Sequence, residues 1–219
     1  MKKIILVAGA TGNLGKRVIN ALLDRGAEVR VVVRSSSDIE KLNELERLGV
    51  KIFKINMSNV EEMSDACSGV SCVVSALQGL HEVIVDTQRV LLDAAIAAGI
   101  PRFIPSDYSI DFTKLPPGEN RNLDLRRDFH KRLDETSISA TTIFNGAFTD
   151  LLTDQMPLIL FKLKRVLYWG MQTNAWTSRR LTTRPHSRRA RLFIRPPLAF
   201  YESLAIKSAL GSSQRLWVR

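Results

Sequence analysis

The segment Lys3–Ala8 runs straight into Gly9-Ala10-Thr11-Gly12-Asn13-Leu14-Gly15, and this junction restricts the fold more than any other part of the chain. The segment reads as a buried parallel strand, and the residues from Asn13 onward read as the opening of a helix. Gly9 permits the tight turn between them. Gly12 lacks a Cβ, so the backbone can approach phosphate oxygens, and Gly15 lets the helix lie close to the sheet. The free N–H groups and positive dipole end of that helix face any anion that enters the loop. A glycine pattern alone is weak. Here it follows a strand and opens a helix inside a βαβ unit, the context in which such a loop receives a dinucleotide pyrophosphate. Thr11, Asn13 and Leu14 share the loop with the three glycines.

The same alternation continues to about residue 145. Strand-like runs fall at Lys3–Ala8, Glu28–Val33, Lys51–Ile55, Cys72–Ser75, Phe103–Pro105 and Ala140–Phe144. Helical patterns lie between them at Asn13–Arg25, Asp38–Leu48, Val60–Ala66, Leu80–Ala98 and Leu123–Glu135. The runs are short and apolar on both faces, as expected where helices cover a sheet from both sides. The expected fold class is therefore α/β: a doubly wound parallel sheet of Rossmann type, with an incomplete C-terminal substrate subdomain. The expected division is a nucleotide-binding domain over 1–155, the start of a substrate subdomain over 156–170 and an aberrant basic tail over 171–219.

The second strand ends at Arg34-Ser35-Ser36-Ser37. An NAD-preferring site usually carries an acidic residue there, to bind the ribose hydroxyls. Arg34 followed by hydroxyls such as Ser35 suits a 2′-phosphate, through bidentate charge-assisted bonds. The plainer alternative is a solvated arginine at a strand end. NADP(H) is the expected cofactor, with NADPH favoured over NADH.

Several classes are set aside by composition. No apolar run approaches the length of a membrane span. Met1-Lys2-Lys3 followed by Ile4–Ala10 superficially resembles a secretory leader, but the apolar run is short and passes into turn glycines. The two cysteines, Cys67 and Cys72, are too few for a disulfide framework and lack metal-ligand spacing. A cytoplasmic address without a metal is expected, with no membrane or nucleic-acid partner.

With G-A-T-G-N-L-G, V-V-R-S, the run Arg102-Phe103-Ile104-Pro105-Ser106-Asp107-Tyr108 and the stretch Ile143–Phe148, the chain resembles the NmrA-like, isoflavone-reductase-like branch of atypical short-chain dehydrogenases. The resemblance covers residues 3–170. It implies nicotinamide-side contacts from Ala76, Leu77 and Gln78 after the fourth strand, from Ser106, Asp107 and Tyr108 after the fifth, and from Asn145 near the sixth. For Ser106 and Asp107, simple turn or capping chemistry is the competing reading. Two departures stand out. Tyr108, Tyr168 and Tyr201 each lack the lysine four residues on that ordinary short-chain dehydrogenases use to lower a tyrosine pKa. The reductases of the resembling branch carry a lysine at the start of the helix before the sixth strand, and that position falls near Arg126 to Asp128. Lys131 lies a helical turn further on and reads as part of a solvated face. Arginine is a poor proton donor, so no catalytic acid is assigned.

The formal net charge of +10 is unevenly placed. Residues 1–170 hold 22 Lys and Arg against 21 Asp and Glu, whereas residues 171–219 hold 10 against 1. The tail is arginine-rich, interrupted by proline and aperiodic. A disordered basic tail and a nucleic-acid-binding arm are two explanations. The third, adopted here, is a change of coding frame near Gly170. Reading the last base of each codon with the first two of the next forces Ala from Met171-Gln172 and Asp from Trp176-Thr177. From Gly170 onward this frame permits G-D-A-D-Q-C-V-D-F-T-T-I-D-D-T-A-A-F-T-A-R-A-A-L, which restores acidic residues and alternating apolar pattern. The shifted tail is expected to be disordered or arbitrary and to leave Leu158, Ile159, Leu160, Phe161 and Trp169 partly exposed, with poor solubility.

Two functions follow as expectations. One is an NADPH-dependent reductase of a small aromatic or carbonyl substrate in the full-length form; this chain as it stands is expected to be impaired. The other is a non-catalytic regulator that senses NADP(H). The particular substrate and the oligomeric state are not encoded legibly.

Overall fold

A computed structural model describes residues 3–146, Phe148 and the backbone of two short strands at 159–160 and 165–166. The expectations for the tail and for the exposed residues around 158–169 lie outside the described side chains. Residues up to Gly146 belong to one compact unit, and the two short strands lie in another.

The first unit is a six-stranded parallel sheet. Its strands are β1 (Ile4–Ala8), β2 (Glu28–Arg34), β3 (Lys51–Ile55), β4 (Cys72–Ser75), β5 (Arg102–Ile104) and β6 (Ser139–Ala140), in the order β3-β2-β1-β4-β5-β6. The connecting helices are α1 (Asn13–Leu23), α2 (Ile39–Arg47), α3 (Val60–Cys67), α4 (Gln88–Ala97) and α5 (Arg121–Asp134). The strand order reverses between β1 and β4, and open α/β sheets bind ligands outside the carboxyl ends of strands at such a switch point. The Rossmann-like α/β class expected from the strand–helix alternation is the one observed. In the other unit, β7 (Ile159–Leu160) and β8 (Arg165–Val166) pair antiparallel.

Burial explains why β1 and β4 are apolar on both faces. Ile5, Leu6, Val7 and Ala8 are fully buried, as are Cys72 and Val73. On one side of the sheet Met63, Leu91, Leu92, Phe103 and Phe129 join Leu6 and Val73 in a continuous core. Side chains of this size stabilise by about 1.5–3 kcal/mol each when removed from water.

Two elements differ from the periodicity. The sixth strand is expected over Ala140–Phe144 but spans Ser139–Ala140. Beyond Ile104 its neighbour β5 reaches Pro105, which has no N–H to extend the ladder. The last rung is the bond from the Thr141 N–H to the Phe103 carbonyl. The long helix expected over Leu80–Ala98 instead opens with a π-helical segment, Glu82–Thr87, before α4 begins. There the Thr87 hydroxyl donates to the Glu82 carbonyl five residues back (2.8 Å), a side-chain insertion that accompanies the widened turn.

Candidate functional site

The glycine loop is built by close backbone approach. Gly9 follows β1 with φ +82°, and a Cβ there would lie 2.3 Å from the Ala76 carbonyl oxygen just past β4. The two strand ends of the switch point therefore touch, and only glycine fits at Gly9. A Cβ on Gly15 would stand 2.2 Å from the Gly9 carbonyl oxygen, so α1 packs tightly against the loop. Gly12 caps α1 in extended backbone and offers no side-chain acceptor. Three other helices differ: Asp38 caps α2, Asn59 caps α3 and Asn120 caps α5, each accepting from first-turn N–H groups, whereas the helix after β4 also begins without a side-chain cap. The N-terminus of α1 is thus left for an external acceptor, at the end where a helix favours negative charge. Thr11 is half-buried beside it, while Asn13 is exposed and its Oδ1 accepts from Arg17 Nε (2.9 Å). Leu14 is half-buried on the first turn.

Arg34 ends β2 and is exposed together with Ser35. Its carbonyl accepts from the Ser37 N–H (2.9 Å), which turns the chain back toward α2. β1 and β2 run in register to Ala8 and Val32, so Arg34 projects from the same sheet edge as the glycine loop.

Further along this edge, Ala76 and Leu77 are buried and Gln78 is exposed. Ser106 and Asp107 follow β5 and are buried, Tyr108 is 8 % exposed, and Asn145 lies buried beyond β6. The segments after β4 and β5 are tied by a residue that the sequence reading passed over. Gln88, fully buried at the start of α4, accepts at Oε1 from the Ser75 hydroxyl (2.6 Å) and from the Ser106 N–H (2.9 Å). Its Nε2 donates to the Ile84 carbonyl at 3.1 Å. The Ser106 hydroxyl completes the tie by donating to the Leu77 carbonyl at 2.6 Å. The available signal was a lone glutamine among Val83, Ile84, Val85, Val90, Leu91 and Leu92.

The segment after β5 also meets α5. Asp107 Oδ2 lies 2.6 Å from His130 Nε2, and Asp107 is fully buried. Phe112 stands edge-on to the His130 ring (5.3 Å between centroids) and edge-on to Phe144 (5.1 Å). The Gly146 N–H donates to the Ser109 carbonyl (2.9 Å), which brings Asn145 alongside. Among the described residues four buried polar atoms here have no hydrogen-bond partner: Asp107 Oδ1, the Tyr108 hydroxyl, Arg126 Nε and Asn145 Oδ1. Buried polar groups are normally satisfied, so such a cluster marks a place where a ligand would supply partners. Burial, with the nearby Asp107 charge, pushes the Tyr108 phenol well above its ordinary value, so it stays protonated. Burial holds the Arg126 guanidinium below its usual value, against the opposing effect of Asp107. Lys131 is 76 % exposed and pairs with Asp128 on the solvent side of α5.

A glycine cradle at the switch point of a doubly wound sheet, with an uncapped helix behind it, defines the class as a Rossmann-like α/β domain. The chain belongs to the NmrA-like family, whose model matches residues 1–166. It is similar to pinoresinol reductase 2 of Arabidopsis thaliana (31% identical over 159 residues, 67% of this chain and 50% of the relative). It is also similar to an isoflavone reductase homolog of Lupinus albus (31% over 185 residues, 77% and 59%). Among solved structures it resembles AtPrR2 with NADP+ and (+)-pinoresinol, with a TM-score of 0.62 at 29% identity, covering 69% of this chain and 52% of that one. The binary complex of leucoanthocyanidin reductase and NADPH from Vitis vinifera is similar too, with a TM-score of 0.58 at 28% identity, covering 66% and 50%. The chain therefore spans about half the length of these relatives.

Proposed function

We propose that this chain binds NADP(H) across the carboxyl edge of its sheet, and that its full-length form is an NADPH-dependent reductase of a small aromatic or carbonyl substrate. The observation that carries this reading is the Gly9–Ala76 contact beside the bare N-terminus of α1. Gly9, Thr11, Gly12, Asn13, Leu14 and Gly15 would hold the pyrophosphate, and Arg34 with Ser35 the 2′-phosphate. Ala76, Leu77, Gln78, Ser106, Asp107, Tyr108 and Asn145 would line the nicotinamide side. Bound there, the cofactor supplies hydride. The relatives solved with NADP+ and NADPH support the same cofactor. The two cysteines are free thiols, both buried, which suits a reducing, cytoplasmic compartment.

The domain plan of 1–155, 156–170 and 171–219 belongs to this proposal, as does the change of frame near Gly170. The break in charge at that point and the acidic, patterned text of the shifted frame support it. Sequencing the gene across the Gly170 codon tests it, and an uninterrupted frame there would refute it.

Fluorescence titration tests the cofactor reading: NADPH should bind at least tenfold more tightly than NADH, and Arg34→Asp should abolish that preference. NADPH oxidation by a frame-restored chain, screened against carbonyls and enones, tests the reductase reading. Binding without turnover on any of them would select the NADP(H)-sensing role instead.

A further inference from the structure

Arg126 and His130 stand four residues apart on α5 and so share one helix face. Both act on the fully buried Asp107: Arg126 through its charge and His130 through the 2.6 Å bond at Nε2. The resemblance leads one to expect a lysine near Arg126, and the protein has instead a histidine one turn later, clamped by a carboxylate. The clamp has a definite geometry. Asp107 holds Nε2, Phe112 crosses the ring at 71° and Phe129 crosses it at 87°. The imidazole is thereby fixed in orientation, and among the described residues Nδ1 has no hydrogen-bond partner. A buried carboxylate that anchors one ring nitrogen leaves the other to carry acid–base chemistry. The side chain is 19% exposed, so the ring can exchange protons with solvent.

We propose that His130 is the proton donor of this site and that Asp107 is its positioning residue. The inference rests on the reductase reading above. When hydride reaches the electrophilic carbon of a carbonyl or enone, the π electron pair moves onto oxygen. The Nδ1–H bond of the imidazolium then breaks, an O–H bond forms on the substrate, and the electron pair of the broken bond stays on Nδ1. Solvent reprotonates the ring. The oxidant is the substrate and the reductant is the dihydronicotinamide, so electrons and protons balance. The charged groups acting on the ring are Asp107 after β5 and Asp134 on α5, and Asp107 also acts on Tyr108 and Arg126; Phe112 and Phe129 present only aromatic carbon.

The test uses the frame-restored chain, which serves as the wild type, with NADPH and 9,10-phenanthrenequinone, a reactive carbonyl probe. In wild type, kcat should fall as pH rises through the pKa of His130, measured independently from its Cε1–H resonance by NMR. His130→Gln should lower kcat about 100-fold and remove that pH limb, while NADPH affinity by fluorescence stays within twofold. Asp107→Asn should move the NMR titration of His130 to lower pH and move the kcat profile with it. A His130→Gln chain that keeps both kcat and the pH limb overturns the proposal and leaves the reductase reading intact. Wild type that binds NADPH without oxidising it overturns both. If His130→Gln and His130→Asn each abolish NADPH binding, His130 is a structural brace and the acid role fails.

Discussion

At Gly9 two constraints coincide, a left-handed backbone and a carbonyl 2.3 Å from where a Cβ would sit. Gly26 shares the first constraint, with φ +74°, but has nothing within 4 Å. Gly26→Ala should therefore cost about 1–2 kcal/mol from backbone conformation alone. Gly9→Ala should cost at least about 2 kcal/mol more, because backbone atoms must move apart. Urea unfolding of the two variants separates the terms, and equal losses would show that the contact with Ala76 relaxes freely. His130 sets a second residue-scale expectation. Burial works to lower its pKa, but the bond and charge of Asp107, with the charge of Asp134, outweigh it and raise the pKa above the ordinary 6.5. The folded state thus binds this proton more tightly than the unfolded chain does. Its stabilisation is fully present below pH 6.5 and is lost as pH rises through the raised value. The urea midpoint of wild type should decline across that window, and His130→Gln should flatten the decline. The glycine roles were legible because each follows from local chain geometry. The His130–Asp107 pair was not, since it joins residues 23 apart that only the docking of α5 brings together.

At the scale of elements, the sheet was legible because helices on both faces make its inner strands uniformly apolar. Where the reading slipped, a backbone detail intervened: Pro105 ended the last ladder early, and the π-helical segment shares the apolar composition of the helix it precedes. Gln88 follows that segment and joins β4 to the chain after β5 through two hydrogen bonds. Gln88→Leu keeps the volume but leaves the Ser75 hydroxyl and Ser106 N–H without their acceptor, at about 1–3 kcal/mol for each buried group. Chemical denaturation should show a combined loss of that order with an unchanged m-value. NADPH affinity should fall in the same variant, because Ser106 would lose its anchor.

At the scale of the molecule, the strand order places Arg34, the glycine loop and the Asp107 cluster along one edge, although they are far apart in sequence. A ligand bound along that edge stabilises the whole unit by mass action. Saturating NADPH, at 100 times its Kd, should add about 2.7 kcal/mol to the unfolding free energy, visible as a raised Tm. NADH at the same concentration should raise Tm less, and equal shifts would refute the role given to Arg34. The substrate was illegible for a reason of extent, since the chain matches only about half of each relative and its described side chains end at Phe148.

The π-helical segment also bears on how the chain tolerates change in length. A π turn accommodates an extra residue within a helix, so Glu82–Thr87 has the form of a single-residue insertion accommodated without disturbing the sheet. Removing one residue, such as Asp86, should restore an ordinary helix through to Ala97 and leave the core contacts of Leu91 and Leu92 in place. The slack would be taken up on the other side, in Gln78, Gly79 and Leu80. One deletion would thus re-aim the loop beside the candidate nicotinamide position while the fold behind it stayed the same.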